Sequence, residues 1–188
     1  MSYDLYCYRA ASGVPDVAEA QALIDTFLSA EEGGVARAAS CETRDRITAA
    51  LIECNPRLEP FKFDYGKIAE SDGISEQEAR SRYQHVELNP PEGDLAIQLE
   101  VHDDHVFIAI PYWYQGNEAD RIFSQCSEYL KVIRKTVGFL AYDPQTDAAF
   151  DPQTTGQLDH KGYEETVKGL PKIVAEATKP SKPWWKFW

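Results

Sequence analysis

The pattern of apolar and polar residues predicts a β-strand in each of three stretches of the chain, two of them alternating and one apolar throughout. Residues 3–9 are aromatic and alternating, and residues 95–101 place large apolar side chains at the odd positions. Residues 105–114 are apolar on both faces, as expected of a central strand. The acidic pair at 103–104 separates the last two stretches, so we expect them to form a tight antiparallel hairpin.

Helical spacing of apolar residues, or a capping motif, predicts helices between these strands. Asp16 and Ser75 are each followed three residues later by a glutamate, the capping-box pattern of a helix start. Gly138 ends the clearest helix, and Pro171 interrupts the last one. The predicted helices are residues 17–30, 40–54, 75–83, 118–137 and 163–177.

Short apolar segments between turn residues predict further strands. Residues 61–65 and 139–142 are two of them. The tetrapeptide Asp-Pro-Gln-Thr occurs at 143–146 and again at 151–154, and proline and aspartate at these positions favour turns. We therefore expect residues 148–150 to return between the two turns as a hairpin strand.

The order of these elements indicates a single α+β domain over residues 1–178. We expect an antiparallel or mixed sheet of about five or six strands, with helices packed mainly on one face. A length of 188 residues fits one domain, and 43% hydrophobic and 12% aromatic residues exclude a disordered composition.

The beginning of the chain has no basic segment followed by an apolar one, and no apolar run approaches the roughly 20 residues that cross a membrane. We expect a cytoplasmic protein. The cysteines lie far apart without metal-ligand spacing, and all of them are predicted to be small buried apolar residues. They are Cys7, Cys41, Cys54 and Cys126.

The formal charge of −12 disfavours nucleic acid as a partner, because sequence-independent binding depends on cations that neutralise phosphates. The charge is concentrated in residues 64–104, where eleven acidic residues stand against three basic ones. One interpretation is a solvated surface that keeps the protein soluble. The other is a docking face for a basic protein.

The second interpretation predicts partner-binding residues within and beside the acidic segment, with aromatic anchors at the end of the central strand. The alternative for the three aromatic residues is that they belong to the core. The predicted partner-binding residues are Glu87, Glu92, Asp94, Glu100, Asp103, Asp104, Tyr112, Trp113 and Tyr114.

Catalytic signatures are missing from the sequence, which has no nucleophile elbow, zinc-protease motif or phosphate-binding loop. His102 and His105 flank the predicted hairpin turn and could approach one ion, but a third strong ligand is not evident. We predict no catalytic residue, no metal and no cofactor.

Residues 179–188 form a basic, tryptophan-rich tail whose prolines exclude a helix. Two interpretations remain: the tail docks on an apolar groove of its own or of a partner's domain, or it contacts a membrane interface, and the first is favoured. The docking residues would be Trp184, Trp185, Phe187 and Trp188.

The opening MSYDLY, the run IPYW and the segment GFLAYDPQT together resemble small uncharacterised bacterial cytosolic proteins. Some of those proteins are associated with immunity to polymorphic toxins. The resemblance implies a toxin-neutralising binder without catalytic residues. The sequence thus predicts a cytosolic protein that occludes a basic toxin or effector, and the alternatives are an enzyme of unknown reaction and a membrane-associated factor using the tail.

Overall fold

The computed structural model describes residues 2–32 and 41–155, together with residues 158, 163, 164, 166 and 167. The tail 179–188, with Trp184, Trp185, Phe187 and Trp188, lies outside the described residues. Most of the predicted helix 163–177 does so as well.

Within the described residues, seven strands form one antiparallel sheet. The strands are β1 Ser2–Tyr8, β2 Glu59–Pro60, β3 Val86–Asn89, β4 Gln98–Val101, β5 His105–Pro111, β6 Leu140–Asp143 and β7 Ala148–Phe150. The helices are α1 Val17–Glu32, α2 Glu42–Cys54, α3 Tyr65–Asp72, α4 Glu76–Arg82 and α5 Asn117–Val137. The strand order is β2-β3-β4-β5-β1-β6-β7, which confirms a single-sheet α+β fold.

The longest pairing joins β1 to β5 at the centre of the sheet, from Ser2 opposite Pro111 to Tyr8 opposite His105. On its other side β5 forms the predicted hairpin with β4, closed by a bond of 3.0 Å from the His102 amide to the His105 carbonyl. The first strand of the chain therefore lies between β5 and β6, whose first residues both follow its own by more than a hundred positions.

The two faces of the sheet are covered differently. On the face that we call the major face, α2 and α5 cover the core, with Leu5 and Ile108 beneath them. On the opposite, minor face, α1 packs over Tyr8 and Leu140. No helix within the described residues is long and apolar enough to cross a membrane.

Local capping explains where several elements begin. Asp16 Oδ1 accepts from the Glu19 amide at 2.8 Å, and Ser75 Oγ accepts from the Glu78 amide at 3.1 Å. In both predicted capping motifs, the bond to the side chain that precedes the helix is therefore confirmed. The repeated turns are confirmed too. Asp143 Oδ1 and Asp151 Oδ1 each accept, at 2.9 Å, from the amide of the glutamine two residues later.

The predicted strand 61–65 is wrong. The Asp64 carboxylate accepts from the Lys67 amide at 3.2 Å and starts α3, so the extended segment ends before it. Pro60 has no amide hydrogen to extend the ladder, and β2 is only two residues long. β3 was not predicted, and it adds a strand to the expected five or six.

The cysteine prediction is correct for Cys7 and Cys126, which are buried. It is wrong for Cys54, which is exposed at the end of α2, and only partly right for the half-buried Cys41. The helical spacing placed Cys54 on the apolar side, but Cys54 is the last residue of α2 and is exposed there.

Candidate functional site

Three rows of side chains cross the minor face, because residues paired in an antiparallel sheet project on the same side. The first, or histidine row, comprises His85, His102, His105, Tyr8 and Leu140. The second, or glutamate row, comprises Glu87, Glu100, Phe107, Tyr6 and Tyr142. The third, or amide row, continues the same register through Asn89, Gln98, Ala109 and Asp4.

Helix α1 covers the apolar end of these rows. Ala20, Ile24 and Phe27 form one cluster with Tyr8, Leu140 and Tyr142. The remaining half of the minor face, over β3, β4, β5 and the start of β1, is made largely of polar and charged side chains, and we call it the polar half-face. This half-face is the candidate functional site.

The histidine row is a stack of aromatic rings. Phe27 lies on His105 with centroids 4.0 Å apart, His105 lies on His102 at 4.1 Å, and His102 lies on His85 at 4.8 Å. Imidazole nitrogens direct their lone pairs within the ring plane, so stacked parallel rings do not converge on one ion. Within the described part of the chain, no cluster of His, Cys, Asp and Glu has the arrangement of a metal site.

Carboxylates flank both ends of the stack. Asp104 Oδ1 lies 2.7 Å from His105 Nδ1, and Glu87 Oε1 lies 3.6 Å from His85 Nε2. The row therefore combines imidazoles with acidic neighbours and joins the acidic hairpin turn to the glutamate row.

The glutamate row places Glu87 directly opposite Glu100 on neighbouring strands. Like charges at opposed positions destabilise a sheet. The Glu87 side chain is only 15% exposed, and Gln98 Nε2 donates to Glu100 Oε1 at 3.5 Å. Beside the two acids, Phe107 and Tyr6 bring their rings to a centroid distance of 5.1 Å. The row thus joins negative charge to an aromatic surface.

The amide row contains buried polar atoms. Asn89 is 5% exposed, and neither its amide nitrogen nor its amide oxygen has a hydrogen-bond partner in the part of the chain that the structure describes. Gln98 is 6% exposed and Ala109 is buried between Gln98 and Asp4. Buried amides without partners are rare in folded proteins, and each one requires an explanation.

Asp4 completes this row at the first strand. It is half-buried, and its Oδ1 is shielded from solvent without a partner among the described residues. Burial raises the pKa of the Asp4 carboxyl, against the opposing effect of a hydrogen bond from Ser2. The charged form of Asp4 is therefore less stable in the free protein than that of an aspartate in water.

The predicted partner-binding residues fall into two groups. Glu87, Glu100, Asp103 and Asp104 lie together on the polar half-face and its hairpin turn. Glu92, Asp94, Tyr112, Trp113 and Tyr114 lie beyond the opposite ends of β4 and β5. The seven residues of β5 separate the groups by roughly 20 Å. The structure thus brings together the first group and does not join it to the second.

In the second group, Tyr114 is 4% exposed and belongs to the core. Its hydroxyl accepts from the Ala96 amide at 2.7 Å, and its own amide donates to the Tyr163 hydroxyl at 3.0 Å. Tyr112 stacks on Tyr163 with centroids 5.2 Å apart. These contacts fasten the loop after β5, so Tyr114 has no surface to offer a partner.

The remaining members of this end are more accessible. Trp113 and Tyr112 are half-buried against the core, Glu92 is exposed, and Asp94 pairs with Arg57 at 2.8 Å. At the hairpin turn, Asp103 Oδ1 accepts from the Arg44 amide at 3.3 Å. Asp94 and Asp103 therefore each have an internal partner.

Sequence reasoning did not identify Asp4, His85, Asn89 or Gln98 as site residues. A signal was present for Asp4 and Gln98, since each interrupts an otherwise apolar strand with a polar side chain. Asn89 and His85 could not be assigned to a sheet face, because β3 was not predicted.

Comparison with known proteins adds no family to the description by fold and polar half-face. No family model matches the chain, and no curated protein or solved structure is significantly similar to it. The resemblance to immunity-associated bacterial proteins therefore stays a prediction.

Proposed function

We propose that this protein is a cytosolic binding protein of the immunity type, which neutralises a basic toxin or effector by occlusion. The polar half-face is the docking surface in this proposal. The observation that supports it is the presence of Asp4, Glu87 and Glu100 on one sheet face, outside the cluster that α1 forms there.

The arrangement has a cost in the free protein. Opposed glutamates on neighbouring strands and a half-buried aspartate both destabilise the folded state. Neutral side chains at the same positions would not carry this cost. A cationic partner would reverse that cost, because its charge stabilises the ionised carboxylates when they are brought together.

The chemistry of the surface favours a protein as the partner. Its acidic groups lie beside the Phe107 and Tyr6 rings, and a mixture of aromatic and charged side chains is typical of protein interfaces. Negative charge also speeds the encounter with a basic partner and rejects acidic ones. Nucleic acid remains disfavoured by the overall charge of −12.

The experiment is a pull-down from the native cell, with the neighbouring gene co-expressed, at low and at high ionic strength. We expect a stoichiometric complex with a basic protein that dissociates as salt is raised. The double variant Glu87→Gln, Glu100→Gln should weaken the complex by about tenfold or more, since it removes two charges from the docking surface.

The matched control is the double variant Glu53→Gln, Glu128→Gln. It removes the same number of charges from exposed positions on α2 and α5, on the opposite side of the sheet. The control should bind as the unmodified protein does. Recovery of no basic partner, or equal weakening by both double variants, would contradict the proposal.

A further inference from the structure

We infer that the tail 179–188 docks on the amide row in the free protein and covers Asn89, Gln98 and Ala109 with its aromatic side chains. This inference goes beyond the proposed function and does not depend on it, because it concerns the free chain. It leaves the glutamate row, where the Glu87 side chain is 15% exposed, to a partner. The aromatic residues of the tail are Trp184, Trp185, Phe187 and Trp188.

The amide row is buried more deeply than an open sheet face allows. Ala109 is 1% exposed, Asn89 is 5% exposed and Gln98 is 6% exposed. Side chains project out of the plane of a sheet, so on an uncovered face they remain in contact with water. Some part of the molecule must therefore lie over these three residues.

The elements that the structure describes lie elsewhere. Helices α2 and α5 cover the major face, and α1 forms its cluster with Tyr8 and Leu140. Helices α3 and α4 pack mainly on each other, beside His85. The loop between β3 and β4 turns to the major face, where Ala96 joins the core. Ala109 is buried, but it belongs to neither hydrophobic cluster of the described residues, so its cover has to come from the rest of the chain.

The described part of the chain ends close to this row. The Tyr163 hydroxyl donates to the Pro111 carbonyl at 2.7 Å, and Pro111 follows Ala109 by two residues on β5. Trp184 follows Val167, the last described residue, by 17 positions, and an extended chain of that length spans roughly 55 Å. The row crosses three strand spacings, about 14 Å. The tail can therefore pass the end of β5 and lie along the whole row.

Residues 33–40 also lie outside the described ranges, but they suit the row less well. Their side chains are small except for one arginine and one valine. Helix α1, which precedes them, is fixed by the stacking of Phe27 on His105. Helix α2, which follows them, is fixed by the bond from the Arg44 amide to Asp103. Both flanking helices thus contact the hairpin end of β5, which is the end away from the amide row.

The composition of the tail fits the surface. Both polar side-chain atoms of Asn89 are without a partner in the described chain, and an indole combines an apolar ring with an N–H donor. The tail also has three lysines and no acidic residue, whereas the half-face contains Asp4, Glu87 and Glu100. Opposite charges therefore favour this face for a segment whose rings exclude water from the buried amides.

The test is an NMR measurement on the isotope-labelled full chain. We expect nuclear Overhauser effects between the Ala109 methyl group and indole protons of the tail tryptophans. We also expect the side-chain amide protons of Asn89 and Gln98 to exchange slowly with water. In a mixture of labelled and unlabelled protein, filtered spectra that detect only contacts between copies should show no such effect.

A triple variant with Trp184→Ala, Trp185→Ala and Trp188→Ala removes the covering rings. It should abolish the effects at Ala109 and speed the exchange of the two side-chain amides by about tenfold or more. The matched control is the double variant Val14→Ala, Leu28→Ala, which truncates exposed apolar side chains away from the row and should change neither signal. The contacts of Ala109 in the unmodified chain decide the inference even if the triple variant unfolds.

Four results would overturn the inference. Contacts from the Ala109 methyl group to residues 33–40 or 168–178, without any to the tail indoles, would assign the cover to another part of the chain. Contacts between labelled and unlabelled copies would assign it to a second molecule. Unchanged amide exchange in a folded triple variant would show that the tail excludes no water. Rapid amide exchange in the unmodified protein, with tail indoles that contact only vesicles of phosphatidylglycerol and phosphatidylcholine, would assign the tail to a membrane.

Discussion

Asp4 opposes folding in the free protein, and the proposed function gives it a role in binding a partner. Its carboxyl group is half-buried on a sheet face, and one of its oxygens has no partner among the described residues. A neutral amide of the same shape would occupy that place at lower cost. The stability of the free protein and its affinity for a cationic partner should therefore change in opposite directions at this position.

We expect Asp4→Asn to raise the melting temperature of the free protein at pH 7 by roughly 2–4 °C. Burial raises the pKa of the Asp4 carboxyl above its unfolded value, so its contribution to stability is fully present below the unfolded pKa. That contribution is lost as the pH rises through the folded-state pKa. Thermal unfolding from pH 4 to pH 7 should show the advantage of the variant growing with pH, and a variant less stable than the unmodified protein at pH 7 would refute this.

Asp151 is acidic as well, but its environment has the opposite effect. Arg134 donates two hydrogen bonds to its carboxylate, at 3.0 and 2.7 Å, and thereby lowers the pKa of the Asp151 carboxyl. The pair ties the last turn of α5 to the chain after β7.

Asp151→Asn should destabilise the protein by about 1–2 kcal/mol at pH 7, because it removes a paired bidentate interaction at a partly exposed position. The folded-state pKa is depressed, so the stabilisation is present above the unfolded pKa and is lost as the pH falls through the folded one. Urea unfolding at pH 7 and at pH 3 measures this. A difference between variant and unmodified protein that does not shrink at pH 3 would contradict the assignment.

At the scale of elements, the contact of Phe27 with His105 is one of those that hold α1 over the histidine row. Phe27 is 6% exposed and stacks on His105. Its neighbour Leu28 is 44% exposed on the same helix, so it offers a matched comparison at nearly the same place in the chain.

Phe27→Ala should cost about 3–5 kcal/mol, since it removes a buried ring and leaves a cavity beneath α1. Leu28→Ala should change stability by no more than about 0.5 kcal/mol. Urea unfolding of the two variants distinguishes these values. Equal losses would show that α1 is not held on the sheet by the ring of Phe27.

The turns, the capped helices α1 and α4 and the longer strands were predictable from the sequence, whereas α3 and the short strands β2 and β3 were not. The turns at Asp143 and Asp151 follow from a side chain bonding two residues ahead. The segment 61–65 has a strand pattern, but its Phe63 ring packs on Tyr83 and His85, and Asp64 starts a helix. Short sequences such as that of β3 become strands because a neighbour offers a ladder.

The candidate site was predictable only in part for the same reason. Charge identified Glu87, Glu100, Asp103 and Asp104, which do lie together. Which acids share a face depends on strand register, and Asp4 reaches the site through a pairing with β5 that spans about a hundred residues of chain. The charge pattern placed Glu92 and Asp94 in the same group as these acids, but the structure places them at the other end of the hairpin.

For the whole molecule, salt should affect the stability of the free protein and its affinity for a basic partner differently. The first depends on the net charge of −12, and the second on the localised acidic surface. Repulsion among like charges destabilises the compact free chain, and ions screen it over about 10 Å at 0.1 M. Attraction between the polar half-face and a basic partner is screened in the same way, but screening then removes a favourable interaction.

We therefore expect opposite trends between about 20 and 500 mM sodium chloride, a range over which the screening length falls several-fold. The melting temperature of the free protein should rise by roughly 2–4 °C. Over the same range, the dissociation constant of the partner complex should increase by about tenfold or more, and by less in the Glu87→Gln, Glu100→Gln variant. Calorimetry and binding titrations in matched buffers measure the two trends. Under the proposed function, the same carboxylates repel one another in the free chain and attract the partner in the complex. A complex whose affinity does not depend on salt would therefore show that the acidic half-face is not the binding surface, whatever the free protein shows.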